Sequence, residues 1–250
     1  MTLKEQEPAY GQRARAARQI GSESVCRLSV IVPTLDEERC LAHTLAEIGN
    51  SSGEEILVVD GGSADATVSL AREAGARCLQ SPAGRAAQMN AGAAAARGEI
   101  LLFLHADTLL PSDYRHHVEA VLRRPGVVAG AFRLAFDDPR RSLRLIAAGA
   151  NVRSKILQQP YGDQALFLRR ETFETLGGFR ELPVMEDYDF VRRLRARGRI
   201  AIAPAHVTTS SRRWLRHGVW RTTLTHQRML LGRHLGVSFE RLAAWHGRKK

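Results

Sequence analysis

Cysteine is scarce in this sequence: the three in 250 residues, Cys26, Cys40 and Cys78, form neither a C-x-x-C pair nor an even set. A disulfide framework is thereby excluded, and a reduced, cytoplasmic chain is expected. Long apolar runs are missing as well, none approaching the roughly 18 to 20 residues of a membrane-spanning helix. The opening "MTLKEQEPAYGQRARAARQIGSES" lacks the apolar h-region of a secretory signal and reads as a mobile extension over residues 1–25. Acid is short relative to base. Lys and Arg number 37 against 26 Asp and Glu, a formal net charge of +11, and such a field draws phosphates, nucleotides, nucleic acid or an anionic membrane surface. A nucleic-acid-binding module is disfavoured among these. The arginines are spread along the chain, with no recognition helix, zinc-finger spacing or aromatic RNP stretch.

What is present is a globular composition, 44% hydrophobic, arranged in alternation. "LSVIVPT", "EEILVVDGG", "ARCLQSP" and "EILLFLHAD" are short apolar runs with strand character, and "LDEERCLAHTLAEIG", "SADATVSLAREAG" and "GRAAQMNAGAAAARG" between them have helical spacing. Strands alternating with helices predict βαβ crossovers, hence an α/β fold with a mainly parallel sheet flanked by helices. The pattern loosens after Pro111. A helix through "SDYRHHVEAVLRR", a strand in "VVAGAFRLAF" and a helix in "DDPRRSLRLIAAGANVRSKILQQP" come first. A strand and short helix in "QALFLRRETFETLGGF", a helix in "EDYDFVRRLRARG" and an edge strand "RIAIAPA" follow. With no repeat and no Pro/Gly/Ser linker, one domain over residues 26–235 is expected, followed by a basic C-terminal tail over 236–250.

Several acids fall where strands end. "ILLFLHADTLL" puts His105 and Asp107 directly after a strand buried on both faces; Asp60 ends "EEILVVD", and Glu186 and Asp187 open a helix. Any one of them is what a helix N-cap or first turn favours. Three at the carboxyl edge of one sheet mark a ligand site. In this order and spacing, "SVIVPTLDEE", "EILVVDGGSADAT", "GRAAQMNAGAAAARGEILLFLHADT" and "VMEDYDFVRRLRARG" resemble the family 2 glycosyltransferases of GT-A fold. They look most like the bacterial subgroup in which HAD stands where most relatives have D-x-D. The resemblance covers about residues 27–235. It implies a GT-A nucleotide-binding sheet with a smaller mixed acceptor-side region. It also implies inverting transfer from a nucleotide-diphosphate sugar, usually a UDP-sugar, with Mn²⁺ or Mg²⁺.

The resemblance also implies roles. Pro33 turns the backbone against the nucleotide, Glu37 or Glu38 lies near the ribose or base, and Asp60 contacts the base, with Gly61 replacing the second acid of the family's DDGS. Arg85 offers bidentate donors to the diphosphate, while Asn90 and Gly92 read as packing and turn residues. Asp107 is a hard oxygen ligand for the metal; His105 replaces the first acid of D-x-D and suits Mn²⁺ better than Mg²⁺, and His206 is a further candidate ligand. Asp187 is the expected base, with Glu186 orienting it or contacting the acceptor. Acceptor contacts are expected from Asp163 and Gln164 in "YGDQALF", and from Arg213 and Trp214. "SSRRWLRHGVW" resembles the Q-x-x-R-W signature of processive members but has Ser210 at the glutamine, so a non-processive enzyme acting on a lipid or small-molecule hydroxyl is expected. The basic tail with Trp214, Trp220 and Trp245 suits peripheral contact with an anionic bilayer at the inner membrane face. A sugar-phosphate nucleotidyltransferase, the other enzyme reading, would carry a glycine-rich loop after its first strand, and "VIVPTLDEERC" has no glycine.

Overall fold

The computed structural model describes residues 28–49 and 54–245; the extension expected over 1–25 lies outside them. The first strand, β1 (Leu28–Thr34), is β-branched and almost wholly buried. It lies between β2 (Glu54–Asp60) and β4 (Ile100–Phe103), parallel to both, with β3 (Arg77–Gln80) parallel to β2 on the outside. The crossovers are α1 (Glu38–Ile48), α2 (Thr67–Glu73) and α3 (Arg85–Ala95). Alternate β1 residues face opposite layers: Val30 and Val32 pack with Leu41 and Leu45 of α1, whereas Ile31 packs with Met89 and Ala93 of α3. This two-sided burial makes the strands read as continuous apolar runs. α3 approaches β1 so closely that a Cβ on Gly92 would stand 2.4 Å from Ile31 Cγ2.

The sheet continues in mixed sense. Its order is β3-β2-β1-β4-β7-β6-β8-β5, with β5 (Thr108–Leu109), β6 (Val127–Phe136), β7 (Phe167–Arg169) and β8 (Arg199–Thr209). β7 runs antiparallel to β4 and β6, while β8 is parallel to β6 and antiparallel to β5. Outside the sheet are α4 (Tyr114–Leu122), α5 (Arg141–Leu157), a 3₁₀ turn (Gly162–Gln164), α6 (Arg170–Thr175), α7 (Glu186–Arg195), α8 (Arg212–His217), α9 (Val219–His234) and α10 (Phe239–Trp245).

"RIAIAPA" is at the sheet edge as expected, pairing only with β6 among the described residues, but its strand β8 runs on to Thr209 and at that far end also pairs with β5. The pairing jumps from Ala131↔Ile202 to Arg133↔His206, so Pro204 sits in a bulge, where its missing N–H is not needed by the ladder. Within the basic tail expected over 236–250, Leu242 of α10 is fully buried in a cluster with Val184, Met229 and Ala243, and residues 246–250 lie outside the described residues.

Candidate active site

The floor of the site is the carboxyl edge of β1 and β2. Gln88 of α3, buried, donates from Nε2 to the carbonyls of Thr34 (2.7 Å) and Val59 (2.8 Å), stitching the two strand ends together. Asp60 is 2% exposed; its carboxylate accepts from the amides of Gly62 (2.9 Å) and Ser63 (3.0 Å) and from the Ser63 hydroxyl. Asp60 therefore fixes the loop after β2. The loop after β1 is tied to it, because the Asp36 amide donates to Ser63 Oγ and the Glu37 amide to Thr67 Oγ1.

Above this floor lie the cations. Arg85 opens α3 and stands 3.5 Å from Glu186 Oε1 of α7. It is near enough to bias the titration of Glu37, His105, Asp107 and Asp163, and so occupies the electrostatic centre of the site. Arg212 of α8 bridges two acids, 3.1 Å from Glu37 Oε2 and 3.8 Å from Asp107 Oδ2. The bridge forms because Ser210 N bonds the Asp107 carbonyl and Thr108 pairs with Thr209, which bring the end of β8 against HAD. Burial raises the Glu37 and Asp107 carboxyls above their ordinary range, with Arg212 opposing it in both.

The far wall carries Asp187. Its Oδ2 accepts from the Gly162 amide (2.8 Å) and its Oδ1 from the Tyr188 amide (2.7 Å), leaving each oxygen a further lone pair. A Cβ on Gly162 would meet His105 Nε2 at 2.9 Å and Asp187 Oδ2 at 3.4 Å, so imidazole and carboxylate converge on one point. Burial, with Arg85 and Arg213 behind it, holds His105 well below its ordinary range and hence neutral at pH 7. Asp163, within electrostatic reach of Asp187, is raised to about 6, chiefly by burial, and its Oδ1 has no hydrogen-bond partner. The Tyr161 hydroxyl is likewise buried and unpartnered, with the Arg153 guanidinium 3.8 Å from its ring centroid. Pro33, Arg85, His105, Glu186 and Asp187 all line one cleft.

Met185, immediately before Glu186, and Ala165, just beyond Asp163, are non-glycine residues held at φ 64° and 48°. Such left-handed positions persist only where the surroundings over-determine them. Here they aim the two acid-bearing turns at the cleft.

Residues 29–180 match the family described as Glycosyl transferase family 2. The chain belongs to that family. No curated protein matches the chain. Solved structures resemble it in fold. S. aureus TarS 1–349 superposes with a TM-score of 0.61 at 19% identity, over 74% of this chain and 60% of TarS 1–349. A mannosyltransferase from Pyrobaculum calidifontis, in complex with GDP-Man and Mn²⁺, gives 0.58 at 23% identity over 80% and 63%. Glucosyl-3-phosphoglycerate synthase from Mycobacterium tuberculosis, in complex with Mn²⁺, UDP and phosphoglyceric acid, gives 0.52 at 18% identity over 83% and 77%. The chain thus spans less than two thirds of the length of the first two. Its mixed α/β sheet is the GT-A arrangement expected from the sequence.

The expected residues divide in space. Pro33, Arg85, His105, Glu186 and Asp187 share the cleft, Glu37 and Asp107 meet at Arg212, and Asp163 adjoins Asp187. Gln164 does not face the cleft. It is 0% exposed, donates to the Phe132 carbonyl (2.9 Å) and accepts from Ser154 Oγ (2.6 Å), so it anchors the turn that carries Asp163. His206 is exposed on β8, four residues before Ser210, about 13 Å along the strand at roughly 3.3 Å per residue, and does not join Asp107. Trp214 lies edge-on to Phe136 (5.6 Å) and His226 (5.4 Å), a packed ring. Asn90 is a packing residue as expected: it exchanges two hydrogen bonds with the backbone of Phe179.

Sequence reasoning missed Gln88, Arg153 and His226. Gln88 had a signal, being a polar residue on the arc of α3 shared with the buried Met89 and Gly92. The other two had none, since only tertiary packing brings α5 and α9 to the cleft.

A metal fits this donor set in one way only. Among the described residues no group of three or more His, Cys, Asp or Glu could cage an ion. Mg²⁺ and Mn²⁺ bound with substrate phosphates need only one or two protein carboxylates, and Asp107, two residues after the cleft-lining His105 and 3.8 Å from Arg212, can supply one.

Proposed function

We propose that this glycosyltransferase transfers a sugar with inversion, and non-processively, from a nucleotide-diphosphate sugar to an acceptor hydroxyl. A UDP-sugar is the favoured donor. The reading rests above all on Asp187: its carboxylate is fixed by two amides and lines the same cleft as Arg85. In the reaction, Asp187 takes the acceptor proton as the acceptor oxygen bonds to the anomeric carbon, and the diphosphate leaves with the electron pair of the broken bond. Pro33 and Glu37 border the nucleotide, and Arg85 places a guanidinium against the leaving diphosphate. Glu186, ion-paired to Arg85, couples the donor and acceptor walls. Asp163, Arg213 and Trp214 are assigned to the acceptor side, with Gln164 positioning Asp163. Asp107 would hold Mn²⁺ or Mg²⁺, which when bound neutralises charge on the departing diphosphate. His105, neutral and beside Asp187, suits Mn²⁺ as a weak ligand and also borders the acceptor.

Two variants test the reading. Asp187→Asn keeps shape and removes basicity, so nucleotide binding should persist while transfer, or donor hydrolysis to free sugar, falls by roughly 10²- to 10⁴-fold. Near-normal transfer in Asp187→Asn, together with its loss in Glu186→Gln, would move the base to Glu186. The donor is sought by titrating UDP, GDP, TDP and CDP with and without Mn²⁺. Asp107→Ala should then weaken Mn²⁺-dependent nucleotide binding by about tenfold or more, and an affinity within about twofold of wild type would remove Asp107 from the metal.

A further inference from the structure

Two neighbouring helices each expose an apolar stripe. On α9, Trp220, Leu224 and Leu231 are 58%, 68% and 62% exposed, at spacings of four and seven that put them on one face, and Leu235, which caps the helix, is 74% exposed four residues further on. On α5, Leu145, Val152 and Ile156 are 62%, 56% and 70% exposed at spacings of seven and four, opposite the buried Leu143, Ala147 and Ala150. The helices are in contact, and Arg153 of α5 is close enough to His226 of α9 to lower its basicity. Isolated exposed leucines are ordinary; two aligned stripes side by side are not.

The charge around them has one sign. Neither α5, α8 nor α9 contains an aspartate or glutamate, and none occurs between Phe190 and Phe239. Exposed Arg144, Lys155, Arg216, Arg221 and Arg228 border the stripes. A protein partner would need an acidic face to match this rim, whereas apolar side chains bordered by cations, with a tryptophan at one end, match the acyl and headgroup layers of an anionic bilayer. Trp214 and Trp245, expected to serve the same purpose, are instead packed on Phe136 and against Gly232.

We propose that the α5–α9 face docks on an anionic membrane surface, α5 and α9 lying in its plane. α5 runs directly into the turn bearing Asp163, so docking places the acceptor wall of the cleft next to the bilayer. The proposal stands apart from the catalytic assignment, because its test needs neither donor nor acceptor. The full chain is floated with phosphatidylcholine vesicles, with and without phosphatidylglycerol, at low and high salt, and its mass is followed by light scattering. Wild type should float with the phosphatidylglycerol vesicles and be released by salt. Leu224→Gln/Leu231→Gln and Ile156→Gln, all at exposed positions, should each reduce the bound fraction severalfold while leaving the thermal midpoint in place. Failure to float overturns the proposal. So does flotation that the three substitutions leave undiminished, which would assign binding to another basic surface. A mass doubling abolished by the same substitutions would give the face to a second copy of the chain and would equally overturn it.

Discussion

At the scale of single residues, the least comfortable group in the molecule is Asp163. Its carboxyl is raised from 3.8 to about 6, mainly by burial, and one of its oxygens has no partner. A carboxyl that holds its proton more tightly in the fold than in the unfolded chain contributes stability that is complete below pH 3.8 and is lost as pH rises through about 6. Above that, keeping the ionised group buried costs on the order of 3 kcal/mol, at about 1.4 kcal/mol for each pH unit separating the folded and unfolded titrations. Asp163→Asn removes the charge with little change in shape, so its melting temperature at pH 7 should exceed that of wild type. The slope of stability between pH 4 and 6 should flatten as well. Transfer should fall in the same variant, because a costly carboxylate beside Asp187 is kept for what it binds. If Asp163→Asn melts below wild type at pH 7, Arg153 stabilises the carboxylate by more than burial penalises it, and the functional reading of the strain fails.

At the scale of elements, the nucleotide half depends on how closely α3 lies on β1 and β2. A methyl at Gly92 would meet Ile31 Cγ2 at 2.4 Å and Val59 Cγ2 at 3.0 Å. Both neighbours are fully buried core side chains with no room to retreat. Gly92→Ala should therefore cost about 1–3 kcal/mol in urea unfolding. It should also weaken nucleotide binding, because Arg85 and Gln88 ride on the displaced helix; an unchanged urea midpoint would refute the close approach. This half was legible from residue patterns. β1, β2 and β4 are apolar on both faces and punctuated by Pro33, Gly61 and His105, and acids at their ends announced a ligand edge. The other half was less so. β5 is too short to leave a periodic signal, and the bulge at Pro204 hides the second part of β8. Gln164 resembled a ligand because a polar residue in a short loop looks the same whether its amide meets substrate or the backbone of Phe132.

At the scale of the whole molecule, the base is held by parts of the chain far from it in sequence. Val184, two residues before Glu186, packs with Met229 of α9 and with Leu242 and Ala243 of α10, while Asn90 of α3 clamps Phe179 from the other side. The turn that aims Asp187 is thus gripped between the nucleotide half and the C-terminal helices, and Met185 keeps its left-handed backbone under that grip. Leu242→Ala would empty a fully buried site in this small cluster of four buried residues. The cost expected is about 2–5 kcal/mol for the C-terminal helices. β1 through β4 share no side chain with this cluster, so they should retain their stability. Nucleotide binding should therefore survive in Leu242→Ala, and hydrogen exchange should rise over α9, α10 and the amides of Met185 to Tyr188 while β1 and β2 stay protected. Transfer should fall more steeply than binding, as the base is released from its two amide partners while the donor wall stays intact. Uniform loss of protection across the sheet would mean that the molecule unfolds as one unit and that the C-terminal helices do not act on Asp187 separately.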